Sequence, residues 1–395
     1  MGRYVTERKY PGSTILIARH GRIVHAASTG ARDVEVGLPF QRDTLVRLFS
    51  MTKPVVSVAL MMLAERGLFH LDAPVSAFLP EFGDMQALVP GATAIDQTEA
   101  APSPTLHQLL THTSGLSYGF NPGLVPEAME ASGIQFSPDK GVLADMVTRV
   151  AALPLAFRPG ASWEYSIGID IIGRVIEVVS GQTLDRFLAD EVFAPLGMDD
   201  TGFTVYPGDI DRFAALYTPL EGDAMALNAR ASGTETLRRI DGGAASPWTR
   251  STLFSGGGGL TGTIDDYMRF ADMLRLGGTV SGKPAGRRLL SPNTMRFMMQ
   301  NHLPGDIASM GPSSFAEQPM EGIGFGLGGA VLLNPGRART PGHAGDFSWG
   351  GMASTFFWVD PEADMSVVFL TQLAPSSAYP SRAELKALVM AALIG

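Results

Sequence analysis

Cysteine is absent from this 395-residue chain, which removes disulfides, thiolate metal sites and a cysteine nucleophile from consideration. Lysine is nearly as scarce: Lys9, Lys53, Lys140, Lys283 and Lys386 are the whole set, so a lysine in an apolar setting stands out. Charged residues make up 17% and hydrophobic ones 45%, an ordinary balance for a globular domain with a core of normal size. The formal charge of −9 argues against nucleic acid or an anionic membrane as a partner. No run is apolar for long enough to cross a bilayer, and Met1–Tyr10 lacks the apolar segment of a secretory signal, which points to the cytoplasm. The seven histidines, His107 and His112 included, show no His-Glu-x-x-His or comparable ligand spacing, so neither metal nor cofactor is expected. What the chain has in excess is 46 glycines and 27 prolines, the mark of many turns and long functional loops.

Against that background one stretch organises the rest. Leu48-Phe49-Ser50-Met51-Thr52-Lys53-Pro54 runs into apolar residues that continue almost unbroken to Glu65, too long for a strand, and Gly67 marks a stop. The pattern predicts a buried helix with Ser50 at its N-terminal end. Residues three apart share a helix face, so Lys53 reaches Ser50. A serine hydroxyl needs a partner to take its proton, and a lysine becomes a usable base when desolvation lowers its pKa. The spacing alone does not decide the matter, because Ser137 and Lys140 repeat it. That second copy lies in the polar turn Ser137-Pro138-Asp139-Lys140-Gly141, where nothing desolvates the lysine. A third candidate is Ser117, in Gly115-Leu116-Ser117-Tyr118-Gly119. This matches the Gly-x-Ser-x-Gly nucleophile elbow, but Pro122 and Gly123 follow where that motif needs a helix.

Taken in order, the chain opens with a predicted hairpin over Thr14–Ala27 that turns at His20-Gly21. A loop-rich region follows, with a short helix at Leu106–Leu110. Helical periodicity returns at Val142–Leu153, at Ile169–Val179 and at Leu184–Phe193, with Tyr165 on the approach to the second of these. Residues 206–250 read as loops, and Ser255-Gly256-Gly257-Gly258-Gly259 as close backbone packing rather than a phosphate loop, since no Gly-Lys-Thr/Ser follows. Thr263 caps a helix to Leu276. Strands are predicted at Leu327–Leu333, Ser354–Val359 and Ser366–Thr371, and a closing helix at Glu384–Ile394. Strands at both ends with helices between them imply an α+β fold, one antiparallel sheet completed by the two termini and flanked by helices, with a mostly helical lobe inserted. The expected division is an α/β lobe over about residues 1–60 plus 200–395 and a helical lobe over about 61–199.

Several pieces together resemble one family. Ser50-Met51-Thr52-Lys53, Leu109-Leu110-Thr111-His112-Thr113-Ser114-Gly115-Leu116, Tyr165-Ser166, Pro195-Leu196-Gly197-Met198, and Gly342-His343-Ala344-Gly345 through Trp349-Gly350-Gly351 are similar to serine hydrolases of the class C β-lactamase and penicillin-binding-protein fold. The likeness is strongest to family VIII carboxylesterases, and it spans residues 11–395. It implies that Ser50 is acylated, that Lys53 takes or relays its proton, and that Tyr165 protonates the leaving group and later activates water. It also implies an oxyanion hole from the backbone N–H groups of Ser50 and Met352, with Trp349, Gly350 and Gly351 beside the substrate. Two departures from the β-lactamase pattern bear on substrate. Ile167 stands where those enzymes have the asparagine of Tyr-x-Asn, and Trp349 stands where they have the lysine of Lys-Thr-Gly. An isoleucine offers an amide nothing, and an indole in place of a cation suits uncharged, apolar groups. The expected activity is hydrolysis of small uncharged esters through an acyl-enzyme. A β-lactamase or D-amino-acid peptidase, an acyltransferase of the same fold and a non-catalytic binding module are the alternatives.

Overall fold

The computed structural model describes residues 1–234, 236–282 and 287–393. Eight strands form one antiparallel sheet: β1 (Gly12–Arg19), β2 (Arg22–Asp33), β3 (Leu38–Pro39), β4 (Ile323–Phe325), β5 (Ala330–Leu332), β6 (Phe347–Gly350), β7 (Phe356–Asp360) and β8 (Met365–Thr371). Their order is β4-β5-β6-β7-β8-β1-β2-β3, so the two ends of the chain meet at β8 and β1, with Ser13 opposite Thr371 and Arg19 opposite Met365. The β1–β2 turn is His20-Gly21, both at positive φ (51° and 70°), as a two-residue hairpin requires.

Both faces of the central strands are covered, which is why β7 and β8 read as unbroken apolar runs rather than alternating ones. Phe357, Val359, Val368 and Leu370 face the core shared with helix α1 (Thr52–Glu65), helix α2 (Leu106–Leu110), helix α3 (Gly168–Ser180) and helix α4 (Ile264–Arg275). Their alternates Phe356, Trp358, Val367 and Phe369 face a second cluster with Leu385 and Val389 of helix α5 (Ser381–Ala391). Helix α1 is buried at every position from Thr52 to Leu63 and packs on α3, so its sequence is apolar all round. Gly181, in the left-handed conformation at φ 70°, ends α3.

The structure differs from expectation at short strands and at one helix end. The strand expected at Leu327–Leu333 begins only at Ala330, because Gly326 N–H closes on Gly329 O (2.8 Å) and makes residues 326–329 the turn between β4 and β5. Residues 206–250 are not all loop: Leu216–Thr218 pairs with Arg238–Asp241. The closing helix starts at Ser381, one turn before Glu384, and the expected end at Ile394 lies outside the described residues. The missed strands are three- or four-residue elements made by a distant partner, which no local period announces.

A buried cation fixes the approach to Ser50. Arg47 is fully buried; its Nε donates to Asp241 Oδ2 (2.8 Å), its Nη1 to Ala214 O (2.8 Å) and Gln372 Oε1 (3.1 Å), and its guanidinium lies 4.0 Å from the Phe213 ring centroid. Burial pulls its pKa down to about 10, so the pair is held by geometry rather than by cheap solvation. Arg47→Met leaves Asp241 without its cation and takes one donor each from Ala214 O and Gln372 Oε1, and is expected to cost about 3–5 kcal/mol of stability. A urea midpoint within error of the parent would show that Arg47 anchors nothing.

Candidate active site

Ser50 lies in a single 3₁₀ turn, Phe49–Met51, that feeds directly into α1. Three contacts from distant sequence hold this turn. Leu48 N–H donates to Leu260 O (2.9 Å), Tyr267 Oη donates to Met51 O (2.9 Å), and Thr355 Oγ1 donates to Leu48 O (3.3 Å). Phe49 sits at φ 46°, a conformation costly for a bulky residue, and the surrounding packing enforces it just before the serine. Ser50 is half-buried; Lys53 is 1% exposed.

Lys53 Nζ lies 3.3 Å from Ser50 Oγ, and Tyr165 Oη donates to the same Oγ at 2.5 Å. The three residues read from the sequence therefore meet at one oxygen. Burial lowers the Lys53 pKa to about 7, with Asp170 pulling the other way. Burial also pushes the Tyr165 phenol up, which the bond to Ser50 only partly offsets, so the resting phenol keeps its proton. Tyr165 is oriented from behind: Asn121 Nδ2 donates to its carbonyl (2.8 Å), and the buried His112 ring packs on it at 4.8 Å. Ser166 N–H donates to His112 Nδ1 (3.2 Å), which places the histidine proton on Nε2, and burial holds the ring neutral.

Above Ser50 opens a cavity of about 460 Å³, lined on its apolar walls by Ile134, Phe136, Met225, Leu227 and Met320. Ile167, Trp349, Gly350, Gly351 and Met352 all line it. Trp349 stacks on Phe315 (6.0 Å, 13°) and leans on Tyr165 (5.5 Å). The two glycines also make close contacts away from the cavity. A Cβ on Gly351 would stand 2.3 Å from Leu48 O, and one on Gly350 would stand 2.6 Å from the Arg382 guanidinium. They let the end of β6 close onto the Ser50 turn and onto α5 while still lining the cavity. Gly351 N–H is spent on Thr355 O (2.9 Å), and Met352 follows it in the cavity wall beside Phe49. Two cations of α5, Arg382 and Lys386, also reach the wall, each met by a buried acid: Arg382 Nε by Glu317 (3.2 Å) and Lys386 Nζ by Asp346 (2.7 Å).

The rival serines are elsewhere. Ser117 is buried, donates to Glu164 and accepts from Asn121 (3.1 Å), so it braces the Tyr165 segment and does not line the cavity. Ser137 bonds Asp139 (2.8 Å), and Lys140 is exposed. Among the described residues no group of three or more His, Asp or Glu could hold a metal ion, and no helix is long and apolar enough to cross a membrane.

Two residues of the site escaped the sequence reading. Tyr118 Oη lies 3.0 Å from Lys53 Nζ, and it directly follows the serine of the Gly-x-Ser-x-Gly string. Asp170 is fully buried beside it, and its signal was visible: one carboxylate in the apolar run Gly168-Ile169-Asp170-Ile171-Ile172. The glycine-rich loop also joins the site, since Gly257 O accepts from Lys53 Nζ at 2.7 Å.

Comparison with known proteins gives a consistent result. The chain is 35% identical to Esterase EstB of Burkholderia gladioli over 376 residues, covering 93% of this chain and 87% of that protein. Among solved structures it resembles EstCE1, a hydrolase with promiscuous acyltransferase activity, with a TM-score of 0.78 and 31% identity over 98% of this chain and 95% of the other. Simvastatin synthase (LovD) of Aspergillus terreus gives a TM-score of 0.79 at 27% identity, covering 99% of this chain and 96% of that one. The family description that matches is Beta-lactamase, over residues 1–391, and with this sheet, this serine turn and that near end-to-end match the chain belongs to the beta-lactamase family.

Proposed function

We propose that this protein is a carboxylesterase that hydrolyses small uncharged esters through an acyl-enzyme on Ser50. The observation that carries the reading is Ser50 Oγ held between Lys53 Nζ (3.3 Å) and Tyr165 Oη (2.5 Å) on the wall of a largely apolar cavity. With its pKa brought down to about 7, Lys53 is neutral often enough at ordinary pH to take the serine proton as the hydroxyl attacks the ester carbonyl. The backbone N–H groups of Ser50 and Met352 receive the developing oxyanion. When the intermediate collapses, Tyr165 gives its proton to the departing alkoxide; the phenolate is left near the new ammonium, which lies 4.6 Å from the ring centroid. In the second half the phenolate takes a proton from water, the hydroxide attacks the acyl carbonyl, and Lys53 returns its proton to Ser50. No proton is left over.

Substrate class follows from the walls. Ile167 supplies no amide partner, Trp349 supplies no charge, and both cations that reach the cavity are already neutralised by Glu317 and Asp346. An α/β lobe of residues 1–60 plus 200–395 and a helical lobe of residues 61–199 both contribute wall residues, Trp349 and Met225 from the first, Tyr118 and Ile134 from the second. The similarity to Esterase EstB supports the ester reading. The test is direct: kcat/KM for p-nitrophenyl butyrate is expected to exceed that for the cephalosporin nitrocefin by roughly 100-fold or more, the cost of an amide left without partners. The opposite ratio would make the protein a β-lactamase.

A further inference from the structure

Among the described residues Lys53 Nζ has three polar neighbours, and one buried carboxylate governs the two that are not the nucleophile. Gly257 O, at 2.7 Å, can only accept, so it takes one N–H of the amine. The N–H of the same residue, in the peptide before that carbonyl, donates to Asp170 Oδ1 at 3.1 Å. Tyr118 Oη stands 3.0 Å from Nζ and 3.4 Å from Asp170 Oδ2. A carboxylate oxygen accepts, so the Tyr118 proton points at Asp170 and its lone pair at Lys53. Ser255 obeys the same polarity: its Oγ accepts from Gly258 N–H (3.1 Å) and therefore sends its proton to Asp170 Oδ1 (2.5 Å).

A neutral amine has two N–H groups and one lone pair. With the N–H groups taken by Gly257 O and Tyr118 Oη, only the lone pair remains for Ser50 Oγ at 3.3 Å. Glycine at 257 is what permits the arrangement, since a Cβ there would stand 2.2 Å from Asp170 Oδ2 and 2.6 Å from Tyr118 Oη. We infer that Asp170 is a positioning residue for the esterase reaction: by fixing the hydrogen-bond direction of Tyr118 and by holding Gly257 in place through its N–H, it turns the lone pair of Lys53 toward Ser50. The inference rests on the reading of Lys53 as the base.

The charged or titratable groups that face Lys53 are Asp170 from α3, Tyr165 from the segment before it, and Tyr118 and His112 from the segment after α2; the 255–259 loop contributes none. Asp170 is the anion among them, so its removal has a signed effect. In Asp170→Asn the amide donates toward Tyr118, the Tyr118 proton turns onto the Lys53 lone pair, and the plateau of kcat/KM for p-nitrophenyl butyrate falls on the order of 100-fold. Loss of the anion also moves the acid limb of the profile, expected at about 7 in the parent from the lowered Lys53 pKa, to lower pH by roughly half a unit or more. A variant that only disturbed packing would lose amplitude with the limb in place. Active-site titration with a fluorophosphonate corrects for any unfolded fraction, and Lys53→Met serves as the reference. An inactive Lys53→Met beside an Asp170→Asn with parental plateau, or with an unmoved limb, overturns the positioning role; an active Lys53→Met overturns the base itself. Should Asp170→Asn not fold, Tyr118→Phe tests the same orientation without touching the carboxylate: a drop of roughly 10-fold or more is expected, and parental kcat/KM rejects the idea.

Discussion

Ser50→Ala is expected to lower p-nitrophenyl butyrate turnover by on the order of 10⁴-fold or more, as removal of a nucleophile does in other serine hydrolases. The substitution removes one oxygen that accepts from Tyr165 and faces Lys53, in a half-buried site, so the fold should survive it. Ser117→Ala is the informative partner. Its hydroxyl bonds a Glu164 carboxyl that burial already pushes toward the neutral form, and its loss leaves that carboxyl short of a donor. The expected cost is about 1–3 kcal/mol of stability, with turnover per folded molecule close to the parent's. Thermal melts and initial rates on both variants separate the two outcomes. Turnover that persists in Ser50→Ala and vanishes in Ser117→Ala would reverse the assignment and restore the Gly-x-Ser-x-Gly serine as nucleophile.

Tyr165→Phe should produce the next largest effect, and one that depends on the leaving group. The ring packs among Trp349, Phe315 and His112, so deleting only the hydroxyl keeps those contacts. An alkyl ester must have its alkoxide protonated as it leaves, and loss of the acid is expected to cost about 10²–10⁴-fold in kcat. A p-nitrophenyl ester releases an anion that needs no proton, so its acylation is spared while deacylation, which uses the phenolate as base, is slowed. The variant should then show a burst of p-nitrophenol equal to the enzyme present, followed by a slow steady state. Parental turnover of an alkyl butyrate would remove Tyr165 from the reaction.

How much of this was legible in advance depends on the length scale of the signal. Helix α1 was readable because its burial is total: an apolar run from Val55 to Leu63, stopped at Gly67, has no other home than the core. Strands β7 and β8 were readable for the same reason, and the hairpin of β1 and β2 because His20-Gly21 is a local turn. By contrast, β6, which presents Trp349, is four residues long and exists only because β5 and β7 flank it. Tyr118 belongs to the same class of omission: it looks like an ordinary loop residue until Lys53, 65 residues before it, is folded against it. Asp170 did carry a local sign, a carboxylate in an apolar run, but its partners Tyr118, Ser255 and Gly257 come from distant segments.

From its residues alone the chain determined which serine has a lysine one turn away in an apolar helix, a matter of spacing carried by short-range geometry. That Ile167 and Trp349 stand where a lactam substrate would meet an amide and a cation is what the resemblance to the β-lactamase motifs implies. Tertiary structure decided the direction of every proton around Lys53. Hydrogen-bond polarity depends on which groups stand within 3.5 Å, and here those groups, Ser50, Tyr118, Asp170 and Gly257, come from four separate segments that only the packing of α1 on α3 and the 255–259 loop brings to one point.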